Sequence, residues 1–95
     1  MSDVSYQLAE NVLFQKVAEE TVILEPNTGE YYTLNAIGTF MVELLQAGRT
    51  QAEVINTVLE KYQVEQAEVT QDLEALVTQM LNQGLIIAAE PKSQM

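Results

Sequence analysis

The sequence predicts an α+β fold in which a three-stranded antiparallel N-terminal sheet is followed by three helices. Three observations predict it. The first third of the 95-residue chain carries short β-branched and aromatic runs separated by turn residues. The remainder carries three apolar stripes at helical spacing. Two of those stripes stop at a glycine, Gly48 and Gly84, where a helix end needs a residue that tolerates positive φ.

Residues 1–11 are polar and mixed, and they are expected to be loosely held. Residues 12–17 (VLFQKV) form the first strand and Ala18-Glu19-Glu20 the turn after it. Residues 21–25 (TVILE) form a second strand, rich in β-branched side chains. Pro26-Asn27-Thr28-Gly29 is a turn: proline presets φ, asparagine bonds locally and glycine accepts positive φ. Residues 30–34 (EYYTL) form the third strand. With that turn setting the register, Leu24 lies opposite Tyr31, Ile23 opposite Tyr32 and Val22 opposite Thr33. Alternation then puts Ile23, Tyr32 and Leu34 on one face and Val22, Leu24 and Tyr31 on the other. Both faces are apolar. Either helices cover the second face or something else docks there.

Asn35 is placed to cap the first helix. Behind it Ile37, Phe40, Met41, Leu44 and Leu45 make one stripe, and Gly48 sits just past its end. Thr50-Gln51-Ala52-Glu53 is a capping box for the second helix, whose stripe is Ile55, Val58, Leu59 and Tyr62. After a connector at residues 63–67, the third stripe is Val69, Leu73, Leu76, Val77, Met80 and Leu81, ending at Gly84. Residues 85–88 (LIIA) are a short strand or extended tail, and residues 90–95 are expected to fray. Three helices on a small sheet, with a tight Gly48-Arg49 link, is the outline of a winged helix-turn-helix. One domain over residues 1–95 is expected, with an ordered core at about 12–87.

Composition narrows the chemistry. Fourteen acidic residues against four basic ones give a formal charge of −10, which repels nucleic-acid phosphates and anionic lipid. A hydrophobic fraction of 47% suits a folded domain. There is no cysteine and no histidine, which removes disulfides, thiolate sites and the commonest general base and zinc ligand. No apolar stretch approaches the roughly 20 residues that span a bilayer. The first residues lack the basic start and apolar run of a signal peptide, so a cytoplasmic protein is expected.

No catalytic set emerges. The acid pairs Glu19-Glu20, Glu65 with Glu68, and Asp72 with Glu74 read as solvated faces rather than as carboxylates held across a cleft. Ser5 and Ser93 have only lysine as a conceivable base and lie near the ends of the chain. No phosphate-cradling glycine motif and no regularly spaced calcium loop is present. The third helix, at roughly 66–83, holds no lysine or arginine, which disfavours it as a reader of DNA. Peptide binding is left. In a meander the third strand is an edge, and it lacks the lysine, proline or bulge that usually blunts one. An extended peptide can add there as a fourth strand. The alternative is that Tyr31 and Tyr32 are ordinary strand tyrosines.

The ordered set of residues resembles the PqqD family. It comprises Val22-Ile23-Leu24, a turn, Leu34-Asn35-x-x-Gly38, and an apolar helix running to Gly48-Arg49-Thr50. It continues with Glu53-Val54-Ile55, Tyr62, Asp72-Leu73, Leu81 and Gly84-Leu85-Ile86, and it covers about 12–87. The resemblance implies a small winged helix-turn-helix protein without catalytic activity or cofactor. Such a protein is a recognition element (a peptide chaperone) for ribosomally synthesised peptides, as in PQQ or lasso-peptide biosynthesis. Its implied partners are a precursor leader peptide and the tailoring enzyme or leader peptidase that receives it. The leader adds to the third strand and packs on the third helix. The implied peptide-binding residues are Glu30, Tyr31, Tyr32, Thr33 and Leu34 on the strand, and Val69, Asp72, Leu73, Leu76 and Met80 on the helix. Tyr31 and Thr33 are the first choices for the groove. Asp72 either pairs with a basic leader residue or simply favours the helix dipole. Leu73 and Leu76 belong to the groove or to the core. Asn35 and Gly38 are assigned to structure. Two further readings stand beside this one: an acidic interaction domain that regulates another protein, and a DNA-binding regulator. Whether the chain forms a homodimer is left open.

Overall fold

The computed structural model describes residues 5–89. Its elements are β1 (Ser5–Leu8), β2 (Leu13–Val17), β3 (Glu20–Glu25), β4 (Glu30–Leu34), α1 (Ala36–Gln46), α2 (Gln51–Lys61), α3 (Gln66–Asn82) and β5 (Ile86–Ala89). Strands β2, β3 and β4 form an antiparallel meander in that order. The three helices follow it, as the α+β reading expects.

The β3–β4 register is the one the turn implies, with Val22 opposite Thr33, Ile23 opposite Tyr32 and Leu24 opposite Tyr31. The β2–β3 connection is tighter. Val17 pairs with Glu20, leaving Ala18 and Glu19 as a two-residue loop. Ala18 takes φ 58°, a left-handed conformation that alanine adopts only at a cost of about 1–2 kcal/mol. Such short loops match the twist of the strands, and the paired ladder on either side holds Ala18 there.

One expectation fails at the N-terminus. Residues 5–8 are not loose: β1 pairs antiparallel with β5, from Ser5 opposite Ala89 to Leu8 opposite Ile86. Four residues (SYQL) carry too little pattern to announce a strand, and the partner that orders them lies at the far end of the chain. The predicted fraying of residues 90–95 lies outside the described residues, as does Ser93.

The helix ends follow local chemistry. The Asn35 side chain accepts a hydrogen bond from the Gly38 amide at 2.9 Å. A Cβ on Gly38 would sit 3.3 Å from that same cap oxygen, so the glycine serves close packing. Thr50 and Glu53 exchange both bonds of a capping box, at 3.0 and 3.3 Å. Past α3, Gly84 (φ 72°) donates to the Leu81 carbonyl and Leu85 donates to that of Met80, closing a Schellman motif. This turn delivers buried Leu85 and Ile86 back to the core.

The core is formed by Ile23, Met41, Val42, Leu45, Val54, Val58, Val69, Leu73, Val77, Met80, Leu85 and Ile86. Each such aliphatic side chain removed from water contributes roughly 1.5–3 kcal/mol. The buried faces of α1 and α2 are rotated from the sequence stripes. Thr39 and Val42 are buried on α1 and Val54 on α2, while Phe40, Leu44 and Ile55 are half-buried. Leu81, expected in the α3 stripe, is exposed. Inside the core, the Thr21 and Thr39 hydroxyls bond each other at 2.8 Å, which ties β3 to α1 and satisfies both. Among the described residues no helix is long and apolar enough to cross a membrane.

Candidate functional site

The two free edges of the meander differ. β2 carries Lys16 at mid-strand, and its ammonium reaches Glu43 of α1 at 2.8 Å. β4 has no basic residue and no proline. Beside its edge lies a groove lined by Thr33, Leu34, Asn35, Ile37, Gly38 and Met41 on one side. Glu68, Asp72, Ala75, Leu76 and Gln79 of α3 line the other. A narrower hollow continues it between Tyr32, Leu34, Leu76, Gln79 and Met80, floored by Ile23 and Leu85. Tyr32 and Leu34 both face the C-terminal half of α3 across this hollow, and Tyr32 reaches as far as Gln83 just past the helix.

Tyr32 closes the far end. Its hydroxyl lies 2.8 Å from Oε1 of Glu30 and 2.8 Å from Oε1 of Gln83. A hydroxyl has one proton to give, and the carboxylate is the stronger acceptor. With the Gln83 amide turned, its NH2 donates to the same hydroxyl and all three groups are satisfied. The hydrogen bond to Glu30, partial burial and the nearby carboxylates hold the Tyr32 phenol above the usual tyrosine range. The groove is acidic at both ends, with Glu68 and Asp72 at one and Glu30 at the other, and its lining holds no lysine or arginine. A neutral or cationic extended chain suits that field better than an anionic one.

The expected binding residues separate into three groups, apart from Glu30, whose carboxylate stands at the Tyr32 end of the groove. Tyr32, Thr33, Leu34, Asp72 and Leu76 are brought together at the groove, and Met80 is buried at the base of its hollow. Val69 and Leu73 are sealed in the core, at 3% and 0% exposure, and present nothing to a ligand. Tyr31 lies on the opposite face of the sheet, paired with Leu24 and 69% exposed. It was a first choice for the groove, but strand alternation gives that side to its neighbour Tyr32. The sequence reading passed over Glu68, Ala75, Gln79 and Gln83. They share a helical row with Asp72 and Leu76 beside the apolar stripe, and that spacing was the available signal. Among the described residues no group of three side chains is placed to hold a metal ion.

Comparison with known proteins finds one family and shared folds. The family described as Coenzyme PQQ synthesis protein D (PqqD) matches residues 20–86, the span from β3 to the start of β5. Two solved structures share the fold. "TbiB1 in Complex with the TbiA(beta) Leader Peptide" is 25% identical with a TM-score of 0.78, covering 90% of this chain and 99% of that one. "Lasso peptide synthetase B1 complexed with the leader peptide" is 26% identical with a TM-score of 0.79, covering 87% and 98%. No curated protein sequence matches.

Proposed function

We propose that this chain, which belongs to the PqqD family, binds the leader region of a ribosomally synthesised precursor peptide and delivers it to a modifying enzyme or leader peptidase. The observation that carries the reading is the unblunted β4 edge lying along a groove against α3. A peptide there adds as a fourth strand. Its main chain bonds the free amides and carbonyls of β4, and alternate side chains enter the apolar groove beside Leu34 and Leu76. The solved neighbours that hold leader peptides support the same assignment, and a lasso-peptide pathway is the first to test. The chain acts by binding rather than by catalysis. Asp72 and Glu68 favour a basic leader residue at the Leu34 end of the groove.

The test is an NMR titration of the labelled protein with the leader of a short peptide encoded beside it. Shifts concentrated in residues 30–34 and at Asp72, Leu76 and Gln79 are the expected outcome. A folded protein that shows no shift would refute the assignment for that peptide. Leu76→Asp should weaken the leader by about tenfold while leaving the domain folded, since Leu76 is only half-buried. Proline at Tyr32 and at Thr33 removes amides that point to opposite sides of β4. One of the two variants should stay folded and lose the leader. Full affinity in that variant would eliminate strand addition.

A further inference from the structure

The outer face of the β2–β3–β4 sheet carries Leu13, Val17, Val22, Leu24 and Tyr31 among Gln15, Glu20 and Thr33, and the described chain leaves much of it open. The registers place Leu13, Leu24 and Tyr31 in one row across the three strands. Val22 sits next to that row, between Gln15 and Thr33, and Val17 lies beyond Gln15 at the end of β2. Leu13 and Val17 are each 57% exposed and Tyr31 is 69% exposed. Single exposed apolar residues need no explanation, but a contiguous set on one sheet face marks an interaction surface.

Charge limits what can cover it. Between residues 13 and 34 the chain carries Glu19, Glu20, Glu25 and Glu30 against one base, Lys16, with Glu25 and Glu30 on the inner side beside Ile23 and Tyr32. Glu20 stands on this face by alternation. Lys16 points to the other side, where it holds Glu43. A second copy would bring another Glu20 to this face and another net charge of −10, so like charges would meet around the patch. A partner with an apolar centre and a rim of lysine and arginine meets both features.

Position supplies the rest. A peptide added to β4 extends the sheet, so every second side chain of that peptide emerges beside Tyr31 and Thr33 on this same face. The surface offered to a partner then includes both chain and leader.

We infer that the outer face of the sheet is the docking surface for the enzyme that processes the bound peptide. That enzyme covers Leu13, Leu24 and Tyr31 together with the outward side chains of the leader, through an apolar patch ringed by basic residues. The inference rests on the leader-binding reading above. It adds a consequence: leader and enzyme strengthen each other's binding, because each completes the other's surface and such coupling is reciprocal.

The experiment uses the full chain, a fluorescent leader, and the purified modifying enzyme or leader peptidase encoded beside it. The variant is Leu13→Thr/Val17→Thr, which keeps β propensity and alters the strand farthest from the leader edge. Leader affinity, read by anisotropy, should stay within about twofold of wild type, as distant sites behave independently. Enzyme affinity, read by calorimetry with leader present, should fall by about tenfold or more. It should also weaken in the wild type as salt rises. Unchanged enzyme affinity in the folded variant overturns the inference, and so does a wild type that does not bind the enzyme. Absence of salt dependence overturns the basic rim. Failure of the leader to bind the wild type strikes the leader-binding reading instead, and the enzyme titration without leader separates the two. Sedimentation of the free chain should show a monomer. A dimer abolished by the same substitutions would give the face to a second copy and overturn the enzyme assignment.

Discussion

The two faces of the β2–β3–β4 sheet are made of similar side chains and meet opposite environments. The inner face carries Phe14, Thr21, Ile23, Tyr32 and Leu34, and Ile23 and Thr21 are almost wholly buried against α1 and the rest of the core. The outer face carries Leu13, Val17, Val22, Leu24 and Tyr31, three of them largely exposed. Apolar character alone therefore does not tell which face builds the fold. Alternation decides which residues travel together, and the path of the helices decides which set is covered. The uncovered set is then available for recognition.

The largest expected difference between the two faces lies in a pair of truncations. Ile23→Ala should cost about 2–5 kcal/mol, since it opens a cavity in a packed core. Leu13→Ala should cost less than about 1 kcal/mol, because most of that side chain is already in water. Urea unfolding measures both, and similar losses would mean that the outer face is covered within the protein after all.

A smaller effect tests the polar link beneath the inner face. Thr39→Val alone should destabilise by about 1–3 kcal/mol, since it leaves the Thr21 hydroxyl buried without a partner, and Thr21→Val should cost less, since the Thr39 hydroxyl can still donate to the Leu34 carbonyl at 3.5 Å. The double variant should recover much of that loss. Additive losses in the double-mutant cycle would show that the two hydroxyls do not depend on each other.

The smallest effect lies at the rim of the groove. Tyr32 is held above its ordinary value of 10.0, first by its hydrogen bond to Glu30. The folded protein thus keeps this proton to higher pH than the unfolded chain does. The stabilisation is present in full below pH 10 and is lost as pH rises through the raised value. The stability difference between wild type and Tyr32→Phe should be level below pH 10 and shrink above it. A difference that grows with pH would reverse the assigned sign. By contrast, the exposed Tyr31→Phe should show little change in stability at neutral pH.

Much of this architecture was legible residue by residue. The Pro26–Gly29 turn gave the β3–β4 register, and Asn35, the Thr50–Glu53 box and Gly84 marked helix ends, because each of these acts on its immediate neighbours. The edge strand β4 was legible for the same reason, whereas the choice between groove and core for Leu73 and Leu76 was not: Leu73 is core and Leu76 is half-buried beside the groove. β1 was not legible, since SYQL becomes a strand only by pairing with residues 86–89. The side of the sheet taken by Tyr31 was misassigned to the groove, although the register already grouped it with Leu24.

The strands β2 to β4, the three helices, the β3–β4 register, most of the caps and the acidic field follow from sequence, since these depend on contacts a few residues apart or on composition alone. Only the tertiary structure decided that Val69 and Leu73 are core while Asp72, Ala75, Leu76 and Gln79 line a groove. It also decided that Thr39, Val42 and Val54 are buried ahead of Phe40 and Ile55, and that the outer sheet face stays open. The physical reason is that a helical or strand pattern fixes which side chains share a face, while burial depends on how distant elements pack against it. A rotation of one residue around α3 exchanges a core position for a groove position at almost no change in local pattern.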